Sequence, residues 1–330
     1  MTNRKILVLT RTDVRHFLTL QECIDAVERA FHLYGQGKIP PPGVLGMRSG
    51  DGGFHVKSGI LPLTRNYFAA KVNSNFPQNR VRFGLPTIQG VIVLCNADNG
   101  EPLALMDSME ITRLRTAAAT AVAAKHLARQ DSRVATVCGC GEQGRMQLNA
   151  LARVLSIQQV FAFDVDDVRA REFANQLSPT LGVAIEVIQD LGCAVDSDVW
   201  ISCTTSQHPF LRREHIRPGA FVAAVGADNP EKQEIHPELM ASAKIVADSI
   251  EQCAKIGDLH HALESGLLAL SDVYGELGEV VAKHKPGRIS RDETIVFDST
   301  GIALEDVAAA ALVYEKARQA GFGGALELAA

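Results

Sequence analysis

The sequence lacks the features that mark membrane proteins and nucleic-acid binders. In 330 residues no apolar run approaches the roughly 18 residues that a membrane span needs. The net charge is −5 and the basic residues are scattered, which argues against a surface that binds nucleic acid or anionic lipid. There is also no low-complexity stretch and no internal repeat. The length and the ordinary composition predict two globular domains.

Disulfide and secretion signals are equally sparse. The seven cysteines are odd in number and scattered, a pattern typical of free thiols in a reducing compartment. Ile6–Leu9 is too short for the apolar region of a signal peptide, and Arg11 follows almost at once. We therefore expect a cytoplasmic protein with no signal peptide in its first thirty residues.

The sequence shows no HExxH motif and no GxSxG motif. Its ten histidines form no metal signature, and the adjacent His260 and His261 are expected to project on different sides of a helix. Cys138 and Cys140 lack the spacing and the second pair of a zinc ribbon. We therefore expect no metal, and no nucleophilic catalysis of these kinds.

The order of the predicted strands and helices changes near residue 129. Before it, a capping box at Thr19 and Glu22 opens a helix, and short strands follow from 53 to 107, with a hairpin turn at Ala97–Gly100. An alanine-rich helix is predicted for Ile111–Arg129. Seven β-branched runs separated mostly by helices come next, which predicts a parallel sheet covered on both faces. These runs are Val134–Cys138, Val160–Phe163, Ala184–Ile188, Val199–Cys203, Ala220–Val225, Lys244–Ala247 and Thr294–Phe297.

A final helix, Leu304–Ala320, is expected to return to the first domain. The predicted fold class is therefore α/β, with a Rossmann-type domain at 129–303. The second domain is discontinuous and of α+β type, formed by 1–128 and 304–330.

The clearest motif is a glycine-rich turn between the first strand and helix of the second domain. It contains Gly139, Gly141, Glu142, Gln143 and Gly144 in the order GxGxxG. In a dinucleotide-binding turn the first glycine permits the tight turn, and the second lets backbone amides approach a pyrophosphate. The third lets the helix pack on the strand. The pyrophosphate then lies at the positive N-terminus of the helix.

An acid follows the second strand of this domain. Asp164 lies 20 residues beyond Gly144, where a carboxylate can accept hydrogen bonds from the adenosine ribose hydroxyls. It would repel a 2′-phosphate, and no arginine follows immediately. The motif therefore predicts NAD as the cofactor in preference to NADP.

Three further residues are candidates for chemistry, each with a structural alternative. Asp228 follows a predicted strand and should face the ligand cleft at the carboxyl end of the sheet, although Asn229 and Pro230 also suit an ordinary turn. Lys71 lies within an apolar strand, either on an edge or in a pocket. Arg115, placed near the start of the alanine-rich helix, opposes the helix dipole unless it binds an anion; it could equally be a surface arginine.

Five ordered motifs resemble one known family. The chain is similar to the ornithine cyclodeaminase/μ-crystallin family over nearly its whole length, and most similar to the archaeal-type alanine dehydrogenase and imine reductase branch. The motifs are Lys71–Ser74, Gly84–Thr87, Leu114–Ala118, Gly226–Asp228 and Phe297–Gly301.

The resemblance implies a homodimer whose first domain binds substrate and dimerises while the Rossmann domain binds NAD(P). It implies that Lys71 binds the substrate carboxylate, that Asp228 is the acid/base and that Thr300 lies near the substrate. The cofactor-lining residues that it implies, apart from the glycines, are Thr87, Arg115, Glu142, Gln143, Asp164, Thr204, Val225, Lys232 and Ser299.

Three positions depart from the family pattern. Relatives often carry a basic residue where this chain has Gly43, and Arg48 is a candidate replacement. Lys57 stands where alanine dehydrogenase-like members carry arginine and cyclodeaminases carry glutamate; a lysine would repel the terminal ammonium of ornithine and could hold a carboxylate. Gly144 stands where relatives usually have another small residue.

Together these features predict an NAD-dependent amino-acid dehydrogenase or imine reductase. Its substrate would be a small amino or imino acid, with room for a dicarboxylic one. Two alternatives stay open at this point: an ammonia-releasing cyclodeaminase that recycles its NAD, and a μ-crystallin-like nucleotide-binding protein. The expected partners are the small-molecule substrate and a second copy of the chain, with neither nucleic acid nor membrane.

Overall fold

A computed structural model describes residues 5–327, which separate into two compact units. Among these described residues, unit 1 contains 5–115 and 302–327, and unit 2 contains 116–301. The division between the units lies inside the alanine-rich helix, whereas the sequence placed a boundary at the end of that helix. Unit 1 is discontinuous along the chain.

The first part of unit 1 is a sheet accompanied by helices. Strands β2 to β6 form an antiparallel meander in which each strand pairs with the next. The strands are β1 (Ile6–Leu9), β2 (Gly43–Ser49), β3 (Gly52–Pro62), β4 (Asn66–Asn75), β5 (Ile88–Asn96) and β6 (Pro102–Asp107). The helices are α1 (Arg11–Phe17), α2 (Leu20–Gly35), α3 (Asn79–Phe83) and α4 (Ser108–Leu127).

Two helix starts show how local chemistry sets these elements. The capping box predicted for α2 is confirmed, since the Thr19 side chain accepts from the Glu22 amide and the Glu22 carboxylate accepts from the Thr19 amide. Helix α4 begins at Ser108 rather than at Ile111 as predicted. The Asp107 carboxylate accepts a hydrogen bond from the Glu110 amide at 2.9 Å, as an N-cap side chain does, and this starts the helix earlier.

Unit 2 is a parallel sheet of eight strands with helices between them. Its strands are β7 (Val134–Cys138), β8 (Gln159–Phe163), β9 (Ala184–Val187), β10 (Val199–Ser202), β11 (Phe221–Ala224), β12 (Lys244–Ala247), β13 (Gly275–Glu276) and β14 (Ile295–Asp298). Its helices are α5 (Glu142–Val154), α6 (Asp167–Leu181), α7 (Pro237–Ala241), α8 (Ile250–Ile256), α9 (Asp258–Glu264) and α10 (Leu277–Val281). Short 3-10 helices lie at Leu191–Ala194, Arg213–His215 and Leu270–Asp272.

The strand order of unit 2 is β13-β12-β14-β11-β10-β7-β8-β9, with every pairing parallel. The order reverses at β7, with β8 on one side and β10 on the other. Such a reversal is the topological switch point at which doubly wound sheets bind ligands beyond their carboxyl ends. All seven strands predicted from the sequence are present within one or two residues, and the α/β Rossmann-type fold class is confirmed.

The chain returns to unit 1 through helix α11 (Ala303–Gln319) and strand β15 (Gly324–Leu326). Helix α11 packs on β3, β4 and α2, and β15 pairs antiparallel with β1. This completes a seven-stranded sheet of order β15-β1-β6-β5-β4-β3-β2.

Two expectations about the chain as a whole can be compared with the structure. All seven cysteines are free; Cys23, Cys138, Cys140 and Cys253 are buried, whereas Cys193 is exposed. Between residues 5 and 327 no helix has both the length and the apolar character required to cross a bilayer.

Candidate functional site

The glycine-rich turn of unit 2 has the geometry that its sequence predicts. Gly139 has a φ of 98°, in the left-handed region, and its amide donates to the Phe163 carbonyl at 2.9 Å. A side chain on Gly144 would overlap the Gly139 carbonyl oxygen, because helix and strand touch there. The first and third glycines are therefore required by the turn itself.

Gly141 differs, because a Cβ atom at this position would meet no protein atom within 4 Å. It is the N-cap of α5, and no side chain caps this helix end. A glycine that packing does not require, beside uncapped amides, fits the close approach of a pyrophosphate. The turn therefore fits a dinucleotide.

The two glycines should separate folding from cofactor binding. We expect Gly144→Ala to lower the thermal stability, since overpacking typically costs about 1–3 kcal/mol. Gly141→Ala should keep the wild-type melting temperature and weaken NADH binding about tenfold to a hundredfold, the equivalent of one charge-assisted hydrogen bond. Thermal unfolding and fluorescence titration with NADH measure both effects. Equal NADH affinity of Gly141→Ala and wild type would contradict this assignment of the turn.

Asp164 follows β8 and is tied to the glycine-rich turn. Its side chain is 6% exposed, and its carboxylate accepts hydrogen bonds from the Cys140 amide at 2.8 Å and the Asp166 amide at 2.9 Å. The Arg169 guanidinium lies 3.9 Å from the same carboxylate. No arginine follows Asp164 immediately in the sequence, so Arg169 was not predicted; the first turn of α6 brings it back to the strand end.

The other predicted residues of unit 2 follow the carboxyl ends of its strands. Because all strands are parallel, these ends share one edge of the sheet, to which the glycine-rich turn also belongs. Thr204 follows β10, Val225 and Asp228 follow β11, and Ser299 and Thr300 follow β14. Unit 2 therefore gathers its predicted residues along a single edge.

Asp228 is the most accessible of these groups, with its side chain 53% exposed. The Lys232 ammonium lies 2.7 Å from its carboxylate, and the Asn229 side chain donates to it at 3.4 Å. The family resemblance predicts Lys232 to be a cofactor-lining residue. The structure adds that Lys232 holds the candidate acid/base.

Ser299 and Thr300 are buried and point toward Asp248, a residue that the sequence analysis did not single out. Their hydroxyl groups lie 3.2 and 3.3 Å from its carboxylate. Thr300 also accepts a hydrogen bond from the Gln252 side chain at 2.8 Å. This network fixes the segment after β14, while the cofactor and substrate roles of Ser299 and Thr300 stay predictions.

In unit 1, Lys71 is buried beside Asp306 and does not lie on a sheet edge. Strand β4 is paired on both sides, and Lys71 is 3% exposed. Its ammonium group lies 2.7 and 2.9 Å from the two carboxylate oxygens of Asp306. Burial, reinforced by the nearby Arg115 charge, lowers the pKa of Lys71 to about 7, and Asp306 offsets part of this. The pKa of Asp306 is lowered by Lys71 and Arg115 despite its burial.

Arg115 binds the same acids. Its guanidinium donates to Asp306 at 3.1 Å and to Glu305 at 3.0 Å, and it is 5% exposed. The helix-dipole argument for Arg115 was wrong, because α4 begins at Ser108 and the dipole effect is confined to the first turn. Glu305 and Asp306 are anions that the chain itself places beside Arg115, and the cofactor role of Arg115 stays a prediction.

The remaining predicted residues of unit 1 lie on the meander. Lys57 on β3 is directly opposite Lys71 on β4 and is 8% exposed. Arg48 is exposed on β2, and the alternation of the strands places it on the same face as Lys57. Thr87 is half-buried just before β5. Lys57, Lys71 and Arg115, with Glu305 and Asp306, form what we call the buried charge cluster.

The histidines behave differently from the expectation. In the described part of the chain, a single group of at least three metal-ligand side chains comes together: His260, His261 and Glu264 have ligand atoms within 4.8 Å of one another. The two imidazoles therefore do not diverge as predicted. One nitrogen of the His260 ring lies 3.3 Å from the Ala254 carbonyl oxygen, and one nitrogen of the His261 ring lies 2.9 Å from the Lys232 carbonyl oxygen.

Sequence reasoning missed the buried acids. Glu305 and Asp306 are each 1% exposed, although they lie in a helix that is otherwise almost wholly apolar over its first turns. An acid pair in such a run was a usable signal of an internal cationic partner, since buried charges are almost always paired. Glu234 and Asp258 of unit 2 are also fully buried and carried no comparable signal.

With this geometry established, the family can be assigned. The family model for the ornithine cyclodeaminase/mu-crystallin family matches residues 4–321. The chain belongs to this family. The resemblance inferred from the five motifs is therefore confirmed.

Members of this family with named activities resemble the chain over nearly its whole length. The alanine dehydrogenase of Archaeoglobus fulgidus is 38% identical over 323 residues, covering 97% of this chain and 98% of the relative. A solved archaeal alanine dehydrogenase dimer with bound NAD has a TM-score of 0.94 and 36% identity, covering 98% of this chain and all of that one. The iminosuccinate reductase of Paracoccus denitrificans, solved with NAD⁺, has a TM-score of 0.90 and 30% identity, covering 98% of this chain and 100% of that one.

These family members are oxidoreductases that act on amino or imino acids, and two of them are solved with NAD or NAD⁺. The predicted enzyme class, an oxidoreductase acting on CH–NH₂ or C=N groups with NAD, is confirmed at that level. The roles of individual residues stay predictions.

Proposed function

We propose that this protein is an NAD-dependent oxidoreductase that interconverts a small amino acid and its imino acid. The observation that carries the proposal is the carboxyl edge of the unit 2 sheet. There a dinucleotide-binding turn, an acid after β8 and the accessible carboxylate of Asp228 follow parallel strands of one sheet. A protein that only bound nucleotide would not need an ion-paired carboxylate such as Asp228 after β11.

Bound NADH would supply the hydride that reduces the substrate Cα, and NAD⁺ would accept it in reverse. Asp228 moves the proton at the substrate nitrogen, as a general acid in reduction and a base in oxidation. The exposed side chain of Asp228 is accessible to substrate, and the ion pair with Lys232 fixes the orientation of its carboxylate. The uncapped amides of Gly141–Gln143 and the carboxylate of Asp164 would hold the dinucleotide.

The buried charge cluster of unit 1 binds the substrate carboxylate. It brings together three basic side chains, Lys57, Lys71 and Arg115, beside Glu305 and Asp306. Basic side chains of this kind form charge-assisted hydrogen bonds with a carboxylate.

The basic side chains bear on the substrate class. The buried charge cluster would hold one carboxylate of an amino or imino acid. A second carboxylate would need Arg48, which is exposed on the same face as Lys57. An ornithine ammonium would meet the Lys57 side chain and be repelled.

The test is reductive amination of a panel of 2-oxo acids. Glyoxylate, pyruvate and oxaloacetate are each combined with ammonia or methylamine and NADH, and absorbance at the NADH band is followed. NADH consumption with at least one of them is the expected result, and the reverse assay with an amino acid and NAD⁺ should give net NADH. Ammonia release without net NADH would indicate a cyclodeaminase, and tight NADH binding without turnover would indicate a binding protein.

The cofactor preference depends on Asp164, and Arg169 makes this testable. We expect wild type to prefer NADH. Asp164→Ser should raise the ratio of kcat/KM for NADPH to that for NADH about tenfold or more, since the freed Arg169 can pair with the 2′-phosphate. Asp164→Ser/Arg169→Ala should lose this gain. A gain that survives removal of Arg169 would show that Arg169 does not read the phosphate.

We further propose that the chain forms a homodimer through the outer face of the unit 1 sheet. This face, opposite the one covered by α11, exposes large apolar side chains in register. They are Leu45, Met47, Phe54, Ile60 and Val91, each between 36% and 55% exposed. An exposed apolar face of this kind marks an interaction site, and the solved archaeal relative is a dimer.

Charges on this face should separate the subunits. Leu45→Asp/Met47→Asp is expected to halve the mass measured by light scattering after size-exclusion chromatography, because two carboxylates would be buried without partners. Val165→Asp is the matched control, since Val165 is 96% exposed and lies in unit 2. Retention of the wild-type mass by the double variant would place the interface elsewhere.

A further inference from the structure

Glu234 is a fully buried acid at the carboxyl edge of the unit 2 sheet. One of its carboxylate oxygens accepts hydrogen bonds from the Thr204 amide at 2.6 Å and the Thr204 hydroxyl at 2.7 Å. The other accepts from the Gly226 amide at 2.7 Å. A single side chain thus joins the segment after β10 to the segment after β11.

The backbone of Glu234 is itself held from two directions. The amides of Glu234 and Ile235 both donate to the Asp258 carboxylate at 2.8 Å. The Glu234 carbonyl accepts from the amides of Phe210 and Leu211 at 3.0 Å. Asp258 is the first residue of α9 and is also fully buried. The backbone of Glu234 is therefore held in place, and so are the hydrogen-bond partners of its carboxylate.

These contacts reach Asp228 along two routes. Gly226 lies two residues before Asp228, and a side chain on Gly226 would overlap the Glu234 carboxylate and approach the Thr204 carbonyl. Lys232 lies two residues before Glu234, and its ammonium group is 2.7 Å from Asp228. The backbone that carries Asp228 and the side chain that holds it are thus both connected to Glu234.

The hydrogen bonds favour the ionised form of Glu234. Three donors meet its two oxygens, and a protonated carboxyl group would have to place its own O–H among these donors. Burial raises the pKa of Glu234, and the donors on Thr204 and Gly226 act against that rise. Replacing one oxygen by an amide nitrogen would set two N–H donors facing each other, at Gly226 or at Thr204.

We infer that Glu234 is a positioning residue for the proposed reaction. It acts through Gly226 and Thr204 to hold Asp228 and the adjoining cofactor-facing segment in place. The inference rests on the proposed function, since it assigns Asp228 as the group that moves the proton.

The test compares Glu234→Gln with wild type on a substrate found in the 2-oxo acid panel. We expect kcat per NADH-binding site to fall about a hundredfold, the effect of a small misplacement of a catalytic group. The substrate KM should change little, because the buried charge cluster of unit 1 binds the carboxylate. The pH profile of kcat should shift as the surroundings of Asp228 change. Glu231→Gln, an exposed carboxylate on the same segment, is the matched control and should behave as wild type.

Normalising to bound NADH removes the effect of unfolded protein. A Glu234→Gln protein that melts earlier, with wild-type kcat per site and an unchanged pH profile, would overturn the inference. Gly226→Ala offers an independent variant, because it displaces the Glu234 carboxylate without changing its charge. The losses in kcat of the two variants should be less than additive in the double variant, and full additivity would also overturn the inference.

The wild-type assay separates the two hypotheses. No turnover of any imine or amino acid by wild type would overturn the proposed function and the inference with it. Turnover by wild type with an unaffected Glu234→Gln would overturn the inference alone.

Discussion

Replacing Asp228 by asparagine is expected to lower kcat by about 10²- to 10⁴-fold, the usual contribution of a positioned general acid or base. Asparagine keeps the shape of the side chain but cannot take up a proton from the substrate nitrogen. NADH affinity should stay within a factor of about two, because Asp228 follows β11 and the dinucleotide-binding turn follows β7. Steady-state kinetics and fluorescence titration with NADH measure the two quantities.

The control for Asp228→Asn is Glu231→Gln, which removes a nearby exposed carboxylate. It should retain the wild-type kcat and NADH affinity. Unchanged turnover of Asp228→Asn would remove this residue from the mechanism. A joint loss of turnover and NADH binding would assign it to the cofactor site.

Replacing Lys71 by methionine is expected to reduce kcat/KM by about 30-fold to several thousand-fold, corresponding to the 2–5 kcal/mol lost when one partner of a buried charge pair is truncated. The proposed reason is the loss of a cation that binds the substrate carboxylate. The loss should lie mainly in KM. Steady-state kinetics over a wide substrate range separates KM from kcat.

Truncating Lys71 also removes a partner of Asp306, and the double variant Lys71→Met/Asp306→Asn controls for this. It should regain the thermal stability lost by the single variant without regaining kcat/KM. Full recovery of kcat/KM in the double variant would mean that Lys71 serves only to neutralise Asp306.

The Lys71 assignment also predicts a pH dependence. Since burial lowers the pKa of Lys71 to about 7, its ammonium form is complete below that pH and is lost as the pH rises through it. Carboxylate binding should weaken in the same direction, so that kcat/KM falls on the alkaline side of pH 7. Lys71→Arg keeps its charge throughout, and its profile should lack this fall. A wild-type profile identical to that of Lys71→Arg would exclude Lys71 as the group titrated.

The parts of the fold that the sequence predicted well are those specified by neighbouring residues. The capping box of Thr19 and Glu22 needs only four consecutive residues, and the β-branched runs of unit 2 identify each strand separately. The glycine-rich turn is local in the same sense, because Gly139 and Gly144 meet within one turn. Hydrogen bonding and steric exclusion at short range leave few alternatives for such segments.

The errors came where a local rule competed with a contact from elsewhere. The dipole argument treated Arg115 as a first-turn residue, but Asp107 starts the helix earlier. The rule that adjacent histidines diverge failed at His260 and His261, whose rings are 5.0 Å apart by centroid and each contact a backbone carbonyl. Arg169 was overlooked because α6 turns it back toward Asp164.

The sequence by itself determined the Rossmann-type fold, the family and the cofactor class, because these are written in contiguous motifs whose spacing carries the chemistry. Only the tertiary structure decided which charges meet. Asp306 reaches Lys71 across 235 residues of chain, and Glu234 reaches Thr204 across 30. Such pairs leave no pattern in the residues between them. The two partners meet only because whole helices and strands pack together. The buried acids that set the charge of unit 1 and hold the Asp228 segment of unit 2 were therefore found only in the folded chain.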